Sequence, residues 1–534
     1  MTPRTLLIGL DGATWSVLDP LMAEGVMPFL KSFVCAGARA GLRTIVPALT
    51  PPAWTSLMTG RRPGQHGVFD FFRMESAENH HQRFFTSHDI GCPTIWSLAA
   101  DAGMRVTALN FPSMFPAPRI SGNIVPGWVP WRQLRLACWP ENLFDRLKSV
   151  PGFNPRELAM DIKLEERATE GCENREEFAP WIELHIRREQ NWLAILKHLM
   201  RADPSPLTAV LFDGVDKLQH LCWRFIRPED DRPLETEWEL KVRELCLEYF
   251  RKLDGILEEL CAEAGPETTV VIASDHGFGP TSDVLFLNGW LAQKGYLKWA
   301  DAARDQGQDS LLGVGKVARH TWLIDWSGTK AYAATPTSNG IYIVRSQNGH
   351  GHGVHAEEYD AFRAQLIGEL REVKNPAGEP MVTEIWTREQ AFQGPYSELA
   401  PDLTLVMRDG GLISILPSAE AVGKRPSLAG AHRPIGVFGA RGPGIRAGAD
   451  PGMLSILDIA PAVLYSLGLP VPAEMEGSVP EDIYESEYRA RHPVRMLAAA
   501  ERQQSNSSVA APVQMSQEDE QIVLERLREL GYIE

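Results

Sequence analysis

Residues 5–12 read TLLIGLDG, and this short stretch decides the fold. The apolar run Leu6–Leu10 is too short for an ordinary helix and suits a buried strand. A carboxylate, Asp11, follows the run directly. The same arrangement recurs in LTAVLFDG, residues 207–214, and in TTVVIASDHG, residues 268–277. Repeated buried strands of this kind are typical of a sheet that helices cover on both faces.

Short apolar runs alternate with longer helical patterns along the chain, which predicts an α/β fold. The predicted strands are Leu6–Leu10, Val106–Asn110, Leu207–Phe212, Thr268–Ser274, Gly340–Val344, Leu403–Met407 and Gly436–Ala440. The predicted helices are Trp15–Ala36, Pro93–Ala102, Glu235–Ala264, Ala356–Val373 and Leu454–Leu467.

The 534 residues divide unevenly between a large domain and a tail. We predict a catalytic domain over residues 1–484, interrupted by a mostly helical insertion at 115–205 with little strand character. Residues 300–330 form a second excursion, and 345–390 a smaller insertion with a long helix. Residues 485–534 form a tail, in which a polar flexible linker precedes a short amphipathic helix, IVLERLRELGY.

The composition excludes some classes of partner. The formal net charge is −16, from 53 basic and 69 acidic residues. Such an excess argues against a nucleic-acid polymer or an anionic membrane surface as the main partner, although a metal site can reverse the field locally. No stretch is apolar for long enough to predict a membrane span. The seven cysteines are scattered and form no C-x-x-C pair, so we expect reduced thiols and a cytoplasmic location.

Acidic residues follow three of the predicted strands: Asp11 follows the first, the pair Asp213 and Asp216 follows Leu207–Phe212, and Asp275 follows Thr268–Ser274. In an open α/β sheet, ligands bind beyond the carboxyl ends of the strands. Carboxylates at three strand ends would therefore converge, where their like charges repel. Such a cluster is costly unless a cation compensates it, so the pattern predicts a metal site.

Three histidines extend this pattern. In DKLQH, Asp216 and His220 are four residues apart and share one helical face. In SDHGFG, His276 follows Asp275 in a tight turn, and His432 lies in GAHRPIG before another strand. Taken singly, each of these has an ordinary explanation. Asp216 and His220 could form a surface salt bridge, Asp275 and His276 could be polar residues of a loop, and His432 could be an ordinary loop histidine. Their coincidence with Asp11 and Thr50 favours a site.

Thr50 lies in PALTPPAWTSLMTG, residues 47–60. Threonine before proline is typical of a helix N-cap, so we expect Thr50 to begin a helix through Ala53–Thr59 that ends at Gly60. The positive end of a helix also stabilises a phosphate or an oxyanion. The residue is therefore either a cap or a nucleophile.

Together these motifs resemble the alkaline phosphatase superfamily, and within it the type I phosphodiesterase/nucleotide pyrophosphatase family. The resemblance is carried by DG at 11–12, TPPAWTSLMTG with RPGQHG after it, DKLQH, SDHGFG and GAHRP. It extends over most of residues 4–480, including ILDIAPAVLYSLGLPVP, and fades in the 115–205 insertion. It implies a mixed, mostly parallel sheet flanked by helices on both faces, with helical and cap insertions.

The resemblance also implies two divalent metal ions, usually Zn²⁺ with Mn²⁺ as an alternative, and a covalent phosphothreonine intermediate on Thr50. One ion would be held by Asp216, His220 and His432. The other would be held by Asp11, Asp275 and His276, together with the Thr50 oxygen. Mixed nitrogen and oxygen ligands suit Zn²⁺. The implied reaction is hydrolysis of a small phosphoester, most simply a phosphodiester, because a metal can activate the hydroxyl.

Three features bear on the substrate. Phe71, in HGVFDF, stands where nucleotide pyrophosphatases have an asparagine that holds a phosphoryl oxygen, and a phenyl ring cannot replace that donor. Asn288 and Trp290, in FLNGWL, are either substrate contacts or the packed start of a helix. The stretch GHGHGVH, residues 349–355, is either a ligand set or a loop at the site entrance.

Other functions are alternatives. Within the superfamily these are a phosphomonoesterase, a phosphonate hydrolase, which also uses threonine, and a sulfatase. Sulfatases build their nucleophile in a C/S-x-P-x-R pattern, and T-P-P-A-W lacks both the convertible residue and the arginine. The alternative from another class is a non-catalytic phosphoester-binding protein. It is disfavoured because every expected ligand position is filled.

Overall fold

The computed structural model describes residues 4–74, 82–129, 132–158, 178–228, 233–300, 323–346, 352–424 and 429–498. The strands, in chain order, are β1 (Arg4–Leu10), β2 (Ala38–Arg43), β3 (Phe72–Met74), β4 (Gln82–Phe84), β5 (Val106–Leu109), β6 (Gly122–Val125), β7 (Leu207–Phe212), β8 (Thr268–Ala273), β9 (Gly277–Pro280), β10 (Asp283–Phe286), β11 (Ala331–Tyr332), β12 (Gly340–Ile343), β13 (Val382–Thr387), β14 (Leu403–Met407), β15 (Leu412–Ser414), β16 (Val422–Lys424), β17 (Gly430–Arg433), β18 (Ile435–Arg441), β19 (Met453–Ser455), β20 (Val471–Pro472) and β21 (Met496–Leu497).

The α-helices are α1 (Trp15–Ala23), α2 (Pro28–Cys35), α3 (Thr50–Thr59), α4 (Pro63–His66), α5 (Ile95–Asp101), α6 (Leu134–Ala137), α7 (Leu143–Leu147), α8 (Pro155–Leu158), α9 (Phe178–Ala202), α10 (Gly214–Ile226), α11 (Glu237–Ala264), α12 (Leu287–Gln293), α13 (Tyr359–Arg371), α14 (Arg388–Ala391), α15 (Ile459–Ser466) and α16 (Ser486–Arg491). Short 3₁₀ turns lie at Ser87–Asp89, Trp326–Gly328, Ala356–Glu358, Ser397–Leu399, Arg408–Gly410, Ile456–Asp458 and Glu481–Ile483.

The centre of the molecule is an eight-stranded sheet in the order β19-β2-β18-β8-β1-β7-β5-β6. β1 pairs in parallel with both β7 and β8, and β5 and β6 continue the sheet in the same direction. β18 runs antiparallel to its neighbours β8 and β2. The prediction of a mixed, mostly parallel sheet with helices on both faces is confirmed.

β1 presents apolar side chains alternately to the two faces of the sheet, and both faces are buried. Leu6 and Ile8 belong to a hydrophobic cluster with the long helices α9 and α11. Leu7 belongs to a second cluster with Trp54 of α3. Full burial of each such leucine stabilises the fold by about 1.5–3 kcal/mol. Gly9 lets α3 approach, since a Cβ at this position would lie 2.7 Å from the Trp54 ring.

A second, smaller sheet has the order β11-β12-β14-β13, and its strands pair antiparallel. It packs with α12 and α13 around a hydrophobic cluster of its own. β12 and β14 correspond to the predicted strands Gly340–Val344 and Leu403–Met407. These two predicted strands therefore belong to the smaller sheet and not to the central one.

Several predicted elements differ from the structure. The single helix predicted over Trp15–Ala36 is wrong: it is two helices, α1 and α2, because Gly25 adopts a φ of 77° and Pro28 begins the second one. The predicted helix Leu454–Leu467 is shorter, because β19 and a 3₁₀ turn occupy its beginning.

The region 115–205 contains the four-residue strand β6, which forms the edge of the central sheet, so the prediction of little strand character missed an element of the core. Most of the excursion at 300–330 and the terminal helix after residue 520 lie outside the described residues. The proposed boundary between a catalytic domain and a tail stays a prediction. Among the described helices, none combines the length and apolarity that crossing a membrane requires.

Candidate metal centre

Acidic side chains follow the carboxyl ends of three adjacent strands. Asp11 follows β1, Asp213 follows β7, and Asp275 lies two residues after the last residue of β8. The convergence predicted from the sequence is present. Gly12, with a φ of 66°, makes the turn after Asp11, and its N–H donates to Asp275 Oδ1 at 3.1 Å. This bond links two neighbouring strand ends directly.

The first ligand group, which we term the outer group, consists of Asp216, His220 and His432. Asp216 and His220 lie on α10, and their nearest atoms, Oδ1 and Nε2, are 3.5 Å apart. His432 Nε2 is 3.3 Å from the same Asp216 oxygen and 3.0 Å from His220 Nε2. Both imidazoles are partly exposed, so this group opens towards solvent.

The second group, termed the inner group, consists of Asp11, Asp275 and His276, and all three side chains are buried. His276 Nε2 lies 3.2 Å from Asp275 Oδ2 and 3.6 Å from Asp11 Oδ1. Thr50 Oγ1 lies 3.2 Å from the same nitrogen. The threonine hydroxyl therefore adjoins the inner group.

The two groups are neighbours because a two-stranded ribbon joins them. β9, which follows His276, pairs antiparallel with β17, which carries His432 opposite Phe278. The rings of His276 and His432 stack with their centroids 3.7 Å apart. His276 Nε2 is also 4.0 Å from Asp216 Oδ1, so one pocket holds all six ligand side chains.

Backbone carbonyls orient two of the imidazoles. His432 Nδ1 donates to the Ala48 carbonyl at 2.9 Å, and His276 Nδ1 donates to the Gly277 carbonyl at 3.0 Å. Because a carbonyl can only accept, each Nδ1 carries the proton and each Nε2 keeps its lone pair towards the pocket. Metal-binding histidines are oriented in this way.

Burial and the closeness of the acidic side chains govern the electrostatics of the pocket. Burial, reinforced by Asp275 and Asp216, raises the pKa of Asp11 well above its usual range. Burial also raises the pKa of Asp275 to about 7 and holds the pKa of His276 well below its ordinary value. For Asp216 burial acts in the same direction as for Asp11, but His220 and His432 outweigh it and hold the pKa low.

The donor set fits divalent metal ions. Three buried carboxylate oxygens, Asp11 Oδ1, Asp216 Oδ1 and Asp275 Oδ2, have no hydrogen-bond partner among the described residues. A buried acceptor without a partner costs free energy unless a cation or water satisfies it. Two such oxygens point to the inner group and one to the outer group. Each group thus offers carboxylate and imidazole ligands, the mixture that Zn²⁺ and Mn²⁺ accept.

Thr50 is the first residue of α3, and the residue that caps this helix is Leu49. The predicted cap is therefore one position off, and the Thr50 hydroxyl lies within hydrogen-bond distance of His276 Nε2. The reason is local: Pro51 and Pro52 have no N–H, and the Ala53 N–H donates to the Leu49 carbonyl. The prolines also remove two of the donors expected at this helix start. Gly60 ends the helix as predicted, with a φ of 65°.

His66, in the RPGQHG motif, contacts α3 through Ser56. It is buried, and its Nδ1 accepts the Val68 N–H at 3.2 Å, so its Nε2 donates to Ser56 Oγ at 2.9 Å. Burial lowers the pKa of His66 to about 3, which keeps the ring neutral. The sequence shows the motif, but it does not show that His66 would bond Ser56 and so hold the helix that begins at Thr50.

The residues predicted to contact substrate differ in their exposure and in the contacts that they make. Phe71 is partly exposed and stacks on Trp128, with ring centroids 5.1 Å apart. Asn288 is buried and both its polar atoms bond the Ala333 backbone, at 3.0 Å and 2.7 Å. It therefore ties α12 to the smaller sheet, as the alternative of a packed helix start predicts, and a substrate contact by Asn288 stays a prediction. Trp290 packs in the core of that sheet.

The histidine-rich stretch at 349–355 is only partly described. Residues 349–351 lie outside the described residues. His352 and His355 belong to neither of the two ligand groups found among the described residues. Val354 pairs in an isolated bridge with Arg345, which attaches the described end of the stretch to the smaller sheet.

A buried polar network beneath α10 was not predicted. Glu189 Oε1, on α9, accepts the Gly214 N–H at 2.8 Å and the Tyr249 hydroxyl at 3.0 Å. Arg188 forms a salt bridge with Asp213, with Nη1 and Oδ2 3.0 Å apart. Since α10 begins at Gly214 and carries two outer ligands, the network fixes the position of those ligands.

We expect Glu189→Ala to lower the free energy of unfolding by about 3 kcal/mol, because it leaves a buried N–H and a buried hydroxyl unpaired. Burial and the Asp213 carboxylate raise the pKa of Glu189 to about 8, so at neutral pH the side chain is mostly uncharged. Glu189→Gln should therefore stay within about 1 kcal/mol of the wild type. Denaturant unfolding of the three proteins checks this, and equal losses in both variants would contradict it.

Comparison with known proteins places the chain among phosphoester hydrolases. A family model described as type I phosphodiesterase / nucleotide pyrophosphatase matches residues 5–425, more than half of the chain. No curated protein sequence matches significantly.

Solved structures share the fold at low sequence identity. Human ectonucleotide pyrophosphatase/phosphodiesterase 5 is 14% identical, with 90% of this chain and 100% of that chain covered and a TM-score of 0.53. An inactive variant of the murine protein in complex with AMP has the same identity and coverage and a TM-score of 0.52. Phosphonoacetate hydrolase from Sinorhizobium meliloti 1021, in complex with phosphonoformate, is 17% identical over 87% of this chain and 95% of that chain, with a TM-score of 0.48.

Proposed function

The chain belongs to the type I phosphodiesterase/nucleotide pyrophosphatase family of the alkaline phosphatase superfamily, and from that membership we propose that it hydrolyses a small phosphodiester through a phosphothreonine on Thr50. Family membership, the fold and the two ligand groups support metal-dependent hydrolysis of a phosphoester. The observation that supports Thr50 as the residue that carries the phosphoryl group is the position of its hydroxyl, 3.2 Å from His276 Nε2 of the inner group.

In the first step the Thr50 oxygen attacks phosphorus, the bond between Oγ1 and phosphorus forms, and the bond from phosphorus to the leaving oxygen breaks. The hydroxyl of Thr50 loses one proton and the leaving oxygen gains one, which makes it the alcohol. In the second step a water oxygen attacks the same phosphorus, and the bond to Thr50 breaks. The free hydroxyl is regenerated with its proton. The products are an alcohol and a phosphomonoester.

Divalent ions at the two groups would supply the positive charge that lowers the pKa of a hydroxyl and stabilises charge on phosphoryl oxygens. The chain itself does the positioning. The α3 backbone places the hydroxyl at the inner group, and the Trp54 indole donates to Asp11 Oδ2 at 3.3 Å, which fixes that carboxylate. His432 and His220 are partly exposed, so in this proposal substrate enters from their side of the pocket.

The substrate class we propose is a small phosphoester. The murine neighbour of similar fold was solved in complex with AMP, which supports a ligand of that size for this pocket. A nucleotide preference is not part of the proposal, since Phe71 occupies the position of the asparagine expected in nucleotide pyrophosphatases. The identity of the metal, Zn²⁺ or Mn²⁺, and the cytoplasmic location stay predictions.

The test compares two chromogenic substrates on metal-loaded protein. We expect kcat/KM for bis-(p-nitrophenyl) phosphate to exceed that for p-nitrophenyl phosphate by about 100-fold, because two divalent ions (4+) against three carboxylates (3−) leave the loaded pocket a net charge of about +1, which the diester's single negative charge matches. The reverse order would identify a phosphomonoesterase. Turnover of neither ester, with both metal sites filled, would favour the non-catalytic alternative.

A further inference from the structure

The loops after β5 and β6 lie at the same edge of the sheet as the metal centre. β5 is the neighbour of β7, and Asn110, at its end, donates to Asp213 Oδ1 at 3.4 Å. Three non-glycine residues in these loops have positive φ angles: Asn110 and Ser113 at 66°, and Trp128 at 60°. For a bulky aromatic residue this conformation is strained, and such strain concentrates where function requires it.

Trp128 forms a wall with two residues that come from elsewhere in the chain. The Phe71 ring stacks on it, with an angle of 17° between the planes. The Lys217 ammonium lies 5.5 Å from the centroid of the Trp128 ring. Phe71, Trp128 and Lys217, each partly exposed, constitute what we term the aromatic–lysine wall.

Lys217 connects this wall to the metal centre. It is the residue after Asp216 on α10, so its backbone lies within one residue of an outer ligand. Its positive charge stands beside a pocket whose described ligands include three carboxylates. A lysine in that position attracts a second negative group on a ligand whose phosphoryl group occupies the pocket.

The indole N–H supplies a second, independent observation. Trp128 Nε1 is buried and has no hydrogen-bond partner among the described residues. A buried donor without a partner is rare and costs free energy, so an acceptor that completes it is expected. An unsatisfied N–H next to an ammonium group calls for an anionic oxygen as that acceptor.

We propose that the aromatic–lysine wall binds a second anionic group of the substrate, a carboxylate or a phosphate, a short carbon spacer away from the phosphoryl group that reacts. Lys217 and the Trp128 N–H would hold the anionic oxygens, and the Phe71–Trp128 stack would cover the spacer. The inference rests on the proposed function. It names the substrate as a phosphodiester with one further negative charge.

The experiment uses two diesters with the same leaving group, propyl p-nitrophenyl phosphate and 2-carboxyethyl p-nitrophenyl phosphate. We expect the metal-loaded wild type to prefer the carboxyethyl ester by about 10-fold or more in kcat/KM, since a charge-assisted contact is gained. Lys217→Met should abolish that preference and leave the propyl ester within about 3-fold. Trp128→Phe, which keeps a ring but removes the N–H, should reduce the preference in part.

Lys241→Met is the matched control, because Lys241 is exposed on α11 and its loss changes the net charge equally. It should leave both esters unchanged. Equal rates for the two esters in the wild type, or an equal fall on both in Lys217→Met, would overturn the inference while hydrolysis of the propyl ester still supports the proposed function. Failure of the loaded wild type to hydrolyse either ester would overturn both.

Discussion

Replacing Thr50 by alanine should lower kcat for the preferred phosphodiester by about 10,000-fold, because the substitution removes the attacking oxygen. The variant should still bind two equivalents of metal, since the six aspartate and histidine ligands remain. Steady-state kinetics and elemental analysis of the same preparation measure both quantities. Rapid quenching of the wild type in acid should also trap phosphate on Thr50, and the variant should carry none.

Two variants calibrate this result. Thr50→Ser keeps a hydroxyl at the same position and should retain far more activity than the alanine variant. Thr59→Ala removes a buried hydroxyl from the same helix, one that donates to the Thr55 carbonyl at 2.7 Å, and should leave turnover near that of the wild type. If Thr50→Ala turned over the diester at the wild-type rate, Thr50 would not be the nucleophile.

Asp275→Asn should reduce the bound metal by one equivalent and lower kcat/KM by more than about 100-fold, the upper range for perturbing groups around a metal ligand. Asp275 belongs to the inner group, and its unpartnered Oδ2 lies 3.2 Å from His276 Nε2. An amide offers a weaker, uncharged ligand in the same volume. Atomic absorption after dialysis, followed by titration with Zn²⁺ or Mn²⁺, gives the stoichiometry and shows which ion restores activity.

Asp254→Asn is a suitable control because Asp254 is also a buried carboxylate. It accepts the N–H groups of Phe29 and Leu30, at 2.8 Å each, and belongs to neither ligand group. This variant should lose stability but keep two equivalents of metal. Retention of both equivalents by Asp275→Asn would show that the inner group is not a metal site.

The sequence predicts that the candidate metal ligands converge, because two of them follow strands. A short apolar run that ends in a carboxylate places Asp11 and Asp275 at the carboxyl ends of their strands, and neighbouring parallel strands bring these ends together. His432 has no such local signal. It was predicted from the resemblance to the family, in which GAHRP is one of the motifs. The structure explains its position by the ribbon of β9 and β17.

The features that the sequence did not predict depend on distant contacts. The four-residue strand β6 is recognisable only once β5 provides its partner. Asn288 is a polar residue near a predicted site, and the sequence gives no sign that its side chain bonds the Ala333 backbone, which is distant in the chain. Glu189 lies in a region without a motif, and its bond to the Gly214 N–H could not be inferred from the spacing.

The two prolines after Thr50 have a consequence for the timing of the reaction. A reactive hydroxyl that is hydrogen-bonded to its own backbone must break that hydrogen bond before it attacks, which adds a reorganisation step to every turnover. Pro51 and Pro52 have no N–H that could donate to the Thr50 hydroxyl, and their rings hold the adjoining φ angles near −65°. In the proposed reaction Thr50 would therefore break no bond to its own backbone before it attacks, and its contact with His276 Nε2, at 3.2 Å, already lies at the inner group.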